Sequence, residues 1–456
     1  MIRRVLALTM VIAGSVALSS AAGASGHAAG ARPDLSTRQA INSYLRTLGI
    51  DPASVVVQRG ARNYAGPSCP GSRWNCTTAR RVFQIASTVA GTNMVQCPGG
   101  SVSGQTCTIV QTGASNNATC VEKSGDPVVA QDCSITQTGS TNNASVQQSV
   151  DSTLSDVSQT QNSTQTAEVT QAGDSNTSSV SQSIHQNLHG GGSQQQDSHQ
   201  NATVCQGGGT DCTVSNTGAN KSSVNQSVFL EAHSLGPVTQ NQDTSSTDGT
   251  CVSDGGSSPS DICASVTQNS TTTNNSSVNQ SSHLLGQAAQ ANGSDVSQEQ
   301  EHFGGGVGAD VVQPDPGATN TSSVRQDIND DLHGPAGSSQ SQDPRAGCCS
   351  GAAAAGGGNA SVTQTGSLST SEADAFQNLE LDGSVGTNGS CNLSQKGTID
   401  SGKDTEQDSE NGFCSAFISC QQGGEFAAPS TGNCFGFSGP GESTFRPATR
   451  ALRLQR

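Results

Sequence analysis

Between Ser134 and Gln148 the chain runs SITQTGSTNNASVQQ, with polar and apolar positions alternating. Every second residue places Ile135, Gln137 and Gly139 on one side of a first strand, and Ala144, Val146 and Gln148 on one side of a second. Gly139 to Asn142 separates the two. Gly accepts positive φ and Asn tolerates the left-handed region, so a fold-back is expected there. The pattern predicts strand, arc and strand, with Ile, Ala and Val in a seam, Gln beside them, and the unit serving as one rung of a β-solenoid.

The unit recurs. Gln111, Gly113, Asn116 and Ala118 form one copy, and Gln137, Gly139, Asn142, Ala144 and Gln148 the next. Gln171, Gly173, Asn176, Ser178 and Gln182 form a third. Looser copies are expected at Asn216, Gly218, Asn220, Ser222 and Gln226 with a shortened arc, and from Gln268 to Gln280 with a lengthened one. In the last, Gly317, Asn320, Ser322 and Gln326 follow a displaced Gln313. Ser-Ser-Val starts at Ser178, Ser222, Ser276 and Ser322, a period of about 44 to 54 residues. Weaker segments lie between, at Val157-Ser-Gln159, Val238-Thr-Gln240 and Val296-Ser-Gln298, so two rungs of about 22 to 26 residues per period are predicted.

Outside the repeat the pattern changes. Residues 1–31 carry Arg3 and Arg4, an apolar run from Val5 to Leu18 and then small residues, the form of a secretory signal peptide cleaved between Ala22 and Ala31. No second run long enough to span a bilayer follows. Residues 33–95 are expected to form a cap or small module. A helix is predicted from Thr37 to Leu48, with Ser36 as N-cap, Ile41, Tyr44 and Leu45 at helical spacing, and Gly49-Ile50 as a Schellman stop. Repeats occupy 96–350, a degenerate stretch with a linker at Ala352 to Gly358 occupies 351–412, and a Cys/Phe-rich segment with a basic tail occupies 413–456. A short helix is predicted from Glu372 to Leu381, and an unstructured tail from Arg446 to Arg456.

Composition narrows the choice. Aromatics are 3% and charged residues 12% of the chain, too few bulky groups for a thick conventional core. Disorder, or a thin solenoid held by ladders, are the two states left. A net charge of −16 argues against nucleic-acid binding. Sixteen Cys without paired metal spacing in an exported chain predict disulfides. The expected local pairs are Cys69 with Cys76, Cys97 with Cys107, Cys120 with Cys133, Cys205 with Cys212, and Cys251 with Cys263, tying rung-to-rung loops. Cys107, Cys133, Cys212 and Cys391 each fall four residues before a Gln-equivalent position, so stacking of Cys107 on Cys133 is the rival connectivity. His189, His233, His283 and His333 follow successive strands, but their offsets vary, which favours repeated loop residues over a metal ladder. No nucleophile elbow, calcium loop or carboxylate pair stands out. No catalytic, cofactor or metal residues are expected, and the protein is expected not to be an enzyme.

Gln137-x-Gly139-x-x-Asn142-x-Ala144-x-x-x-Gln148 resembles the curlin repeat, the unit of the curli amyloid fibres of bacterial biofilms. The match is complete in this copy, near in two more, and intermittent from Gln111 to Gln326. The resemblance implies an all-β, curlin-like β-solenoid of strand-arc-strand rungs. It also implies a secreted structural role in a cell surface or matrix, with itself or other matrix components as partners. Unlike curlin subunits, this chain has long, uneven loops and many Cys. The other function open to it is that of an adhesin, with the solenoid as a stalk presenting the Cys/Phe-rich C-terminus.

Overall fold

The computed structural model describes residues 35–87, 90–97, 105–155, 159–209, 212–234, 238–243, 262–288, 296–305, 307–315, 318–336, 339–346, 358–364, 371–386, 390–393, 396–400, 412–422, 425–426 and 433–435. Side chains are described within these except at 105, 238–243, 296–308 and from 328 onward. The expected signal peptide, the Ala352 to Ala355 run and the Arg446 to Arg456 tail lie outside the described residues.

Among the described residues the fold is all-β with one α-helix, α1 (Arg38–Thr47). Thr37, not Ser36, caps it, because the Thr37 hydroxyl is the group that accepts from the Ala40 N–H. Gly49 takes φ +73°, and Ile50 and Gly49 donate to the Leu45 and Arg46 carbonyls, completing the Schellman stop. Among the described residues no helix is long and apolar enough to cross a membrane.

The N-terminal strands are β1 (Val56–Gly60), β2 (Arg62–Ala65), β3 (Asn75–Thr77), β4 (Arg81–Ala86) and β5 (Thr92–Cys97). Four strand pairs follow: β6 (Gln105–Thr112) and β7 (Ser115–Ser124), β8 (Val128–Thr138) and β9 (Thr141–Leu154), β10 (Gln159–Ala172) and β11 (Ser175–His189), β12 (Gly192–Gly207) and β13 (Ala219–Ser234). From there one strand of each repeat is split. β14 (Val238–Asp243) and β15 (Ile262–Gln268) precede β16 (Thr273–Ala288), and β17 (Val296–Gly305) and β18 (Val307–Gln313) precede β19 (Thr319–Ala336). β20 (Ser339–Ala346) and β21 (Gly358–Gln364) precede β22 (Ser371–Gly386), and β23 (Ser390–Leu393) and β24 (Lys396–Asp400) precede β25 (Gly412–Gln422). β26 (Glu425–Phe426) and β27 (Asn433–Phe435) end the described chain.

Rung by rung, the chain contributes to each of two open sheets. The first runs β1-β4-β6-β8-β10-β12-β15-β18-β21-β24-β27, with β14, β17, β20 and β23 continuing alongside from β12. The second runs β26-β25-β22-β19-β16-β13-β11-β9-β7-β5-β2-β3. Pairing is parallel except for β25 with β26. The inward faces meet in one thin seam. It contains Ile109, Ile135, Val169, Val204 and Val266 from the first sheet, and Cys120, Val146, Val180, Val224 and Val278 from the second, all fully buried.

Register overturns the prediction of two rungs per period. Ser178, Ser222, Ser276 and Ser322 pair in turn, so consecutive Ser-Ser-Val strands are direct neighbours with nothing between them. Val238-Thr-Gln240 pairs with Val296-Ser-Gln298, and β14 and β15 lie end to end along the single strand β12. β14 and β17 are therefore the outer parts of wide rungs and not rungs of their own, while Val157 and Ser158 of the first such segment lie outside the described residues. A strand can lengthen without losing its inward face, because that face is set by a period of two. The strands of the two sheets grow from 8 and 10 residues in β6 and β7 to 16 in both β12 and β13.

Two more expectations change. Glu372 to Leu381 is strand within β22, paired with β19 on one side and β25 on the other. Local helix propensity is a weak prior, and two parallel neighbours satisfy the backbone on both edges. The N-terminal strands β1, β2, β4 and β5 are continuous with the two sheets, and α1 lies over the outer face of the first sheet. Ile41 and Leu45 pack there with Phe83 and Val110, and the Tyr44 ring sits 5.7 Å from that of Phe83.

Candidate functional site

The inward polar side chains form the distinctive chemistry. Gln58, Gln84, Gln111, Gln137, Gln171, Gln206, Gln268 and Gln313 stack in register, at most 3% exposed. From Gln84 onward each donates through Nε2 to Oε1 of the residue one rung earlier, at 2.7 to 2.9 Å. The second Nε2 hydrogen reaches across the seam to a backbone carbonyl of the facing sheet. Gln111 donates to Asn117, Gln137 to Asn143 and Gln171 to Thr177. Both hydrogens of each NH₂ are therefore used, one along the stack and one across it. A buried amide left half-satisfied would be costly, so the pattern holds the sheets together where bulky side chains are few.

A second ladder, in the facing sheet, contains Asn63, Asn93, Asn116, Asn142, Asn176, Asn220, Asn274 and Asn320, with bonds of 2.8 to 3.1 Å. Its polarity is reversed: from Asn63 to Asn274 each Asn donates to the residue one rung later. Asn142, at the end of the expected fold-back, faces inward from β9 as a ladder member.

The arc glycines also act differently from expectation. Gly113, Gly139 and Gly173 do not take positive φ. A Cβ on Gly139 would lie 1.8 Å from the Gly113 carbonyl oxygen, and one on Gly173 1.6 Å from that of Gly139. Stacked arcs approach too closely for a side chain, and that proximity is what requires glycine.

A third ladder runs from Gln326 through Gln280, Gln226, Gln182 and Gln148, and ends on the Glu122 carboxylate, with bonds of 2.8 to 3.0 Å. Ala144 lies on the same inward face, four residues before Gln148. The Glu122 side chain is fully buried, 3.2 Å from Arg80. Burial pushes it up to about 7; Asp132 adds to the rise, while the Gln148 hydrogen bond and Arg80 oppose it. Sequence reading missed Glu122, although it follows Ala118 by the same four residues that separate Ala144 from Gln148.

Sequence reading also misassigned one ladder member. Gln206, not Asn216, pairs between Gln171 and Gln268. Asn216 sits in the arc, donating to the Gly173 carbonyl and to Asn220 Oδ1, and the arc is lengthened rather than shortened. Gln58, Gln84, Asn63 and Asn93, from the expected cap, are ladder members too. In the widened region further pairs appear, Gln165 with Gln131, Gln200 with Gln165, and Gln196 with Gln161.

Disulfides join Cys69 to Cys76, Cys97 to Cys107, Cys120 to Cys133, and Cys205 to Cys212. Cys107 and Cys133 are register partners, yet both bond across the seam to the other sheet. Stacked Cβ vectors run side by side, whereas facing ones converge. Cys212 is not in the Cys107 column: it lies in an arc at φ 55°. Cys391 is aligned instead with Gln340. Cys263 is disulfide-bonded, and Cys251 lies outside the described residues.

The four histidines do not form one column. His189 and His233 stack with ring centroids 5.2 Å apart, while His283 packs edge-on to Phe229, with His185 on the other side of that ring. His333 aligns with Gln287. Among the described residues no three His, Cys, Asp or Glu side chains are grouped as metal ligands would be. Comparison of the chain with protein-family models, curated proteins and solved structures gave no match.

Proposed function

We propose that this chain is a curlin-like β-solenoid, secreted and non-enzymatic, that serves as a structural element of a cell surface or extracellular matrix and associates with copies of itself or with other matrix components. The observation carrying this reading is the pair of amide ladders running unbroken through eight successive strands of each sheet. Stacked amides on parallel strands are the stabilising device of cross-β assemblies, where each added layer repeats the bonds of the last. The acidic balance of the chain favours solubility before assembly.

Electron microscopy and fibre diffraction of the oxidised mature protein, with amyloid-dye binding before and after reduction, test the reading. Ordered rods or fibres with a reflection near ~4.7–4.8 Å are expected. A protein with no β signal in circular dichroism, or with no ordered particle under the microscope, would overturn it.

A further inference from the structure

The two ladders have opposite polarity, so the two faces of any rung are different. Toward the N-terminal end a rung presents Gln Nε2 donors and an Asn Oδ1 acceptor. Toward the other end it presents a Gln Oε1 acceptor and an Asn Nδ2 donor. Within the stack each face is the complement of the next, so a strand pair can add to both ladders in one orientation only.

At the N-terminal end the chain supplies these bonds itself. β3 comes after β2 in sequence but lies outside it, with Asn75 in register with Asn63. Asn75 Nδ2 donates to Asn63 Oδ1 at 3.3 Å, in the polarity of the Asn ladder. The Asn75 backbone carbonyl accepts from Gln58 Nε2 at 2.8 Å, replacing the Oε1 that an earlier Gln would offer. One residue thus finishes both ladders. Its neighbours hold it there: Cys76 is bonded to Cys69, and Trp74 packs edge-on to Tyr64 at 6.3 Å, with the Arg62 guanidinium 6.0 Å from its ring.

We propose that Asn75, fastened by the Cys69–Cys76 disulfide and Trp74, imitates one face of a missing rung and so closes the N-terminal end against a second copy of this chain. This rests on the solenoid reading. β3 has three residues, a short edge of the kind that discourages further pairing. Freeing it would bare Gln58 Nε2, Asn63 Oδ1 and the outer backbone edge of β2, an unpaired edge that a strand of another copy could take up.

The test compares the oxidised mature protein with Cys69→Ser/Cys76→Ser and with Trp74→Ala, by light scattering, sedimentation and electron microscopy, with circular dichroism as the check on fold. Both variants should keep the wild-type β signal and self-associate about tenfold more tightly, the equivalent of the two hydrogen bonds a second copy would make at the bared end. Variants with a wild-type β signal and an unchanged mass distribution would overturn the proposal. So would loss of the β signal in both, because the segment would then be holding up the fold and not closing its end. Absence of cross-β order in the wild type breaks the underlying reading instead, which separates the two failures.

Discussion

The narrow early rung of β6 and β7 and the wide rung of β12 and β13 solve one problem in two ways. In the narrow rung the inward positions are few, and cysteines take several of them. Cys97–Cys107 and Cys120–Cys133 cross the seam beside Ile109 and Ile135. In the wide rung the added positions are amides and small hydroxyls on one side, Gln194, Gln196, Ser198 and Gln200, facing Val228, Leu230 and Ala232 on the other. A second apolar cluster forms there, including Val150, Ile184, Val228, Leu230 and Leu284, and the Cys205–Cys212 disulfide sits at the arc. A short strand pair buries too little to hold itself, so covalent links do there what area and extra ladder bonds do in the wide rungs.

The largest break in that comparison should come from the cysteines. Replacing Cys120 and Cys133 by Ser, which opens a link spanning 13 residues in sequence, should lower stability by about 3 kcal/mol, whereas the same change at Cys205 and Cys212 should cost clearly less. Denaturant unfolding of the two double variants measures the difference. Equal losses would mean that the narrow rungs do not depend on their bridges.

Gln171→Ala should follow, costing about 2–3 kcal/mol. It removes the donor to Gln137 and to the Thr177 carbonyl, and the acceptor that Gln206 uses, inside a seam with no water-facing alternative. Protection of neighbouring amides against hydrogen exchange should fall on both sides of the substitution. A loss confined to one sheet would show that the cross-seam bond carries little.

The smallest effect concerns pH. Folded Glu122 keeps its proton up to about 7, against 4.5 when unperturbed, so the folded chain binds more proton across that interval. Its stabilising contribution is full below about 4.5 and is lost as pH rises through about 7. Asp132 and Glu168 are raised by burial as well, so the informative quantity is the difference between wild type and Glu122→Gln. The thermal midpoint of the wild type should fall more steeply than that of the variant between these pH values. Parallel curves would remove Glu122 from the account.

Much of the seam was legible because an inward face needs only local alternation. Ile135, Gln137, Ala144, Val146 and Gln148 fall on the expected faces for that reason. What failed was long-range. Asn216 looked equivalent to Gln171 by spacing, but register places Gln206 there, because an arc can absorb extra residues at little cost while a strand pair cannot shift by one. Glu372 to Leu381 looked helical because its neighbours in space were unknown.

By itself, then, the amino-acid sequence determined the inward faces of the strands around Ile135 and Val146, that Gln, Asn and Gly recur around the arc, and which cysteines lie close enough along the chain to meet. Tertiary structure alone decided that each long period is one widening rung, that the two amide ladders run in opposite directions, and that Asn75 and Glu122 stand where ladders end. The reason is physical: a period of two is a property of a single strand, whereas register and polarity exist only between strands brought together from distant parts of the chain.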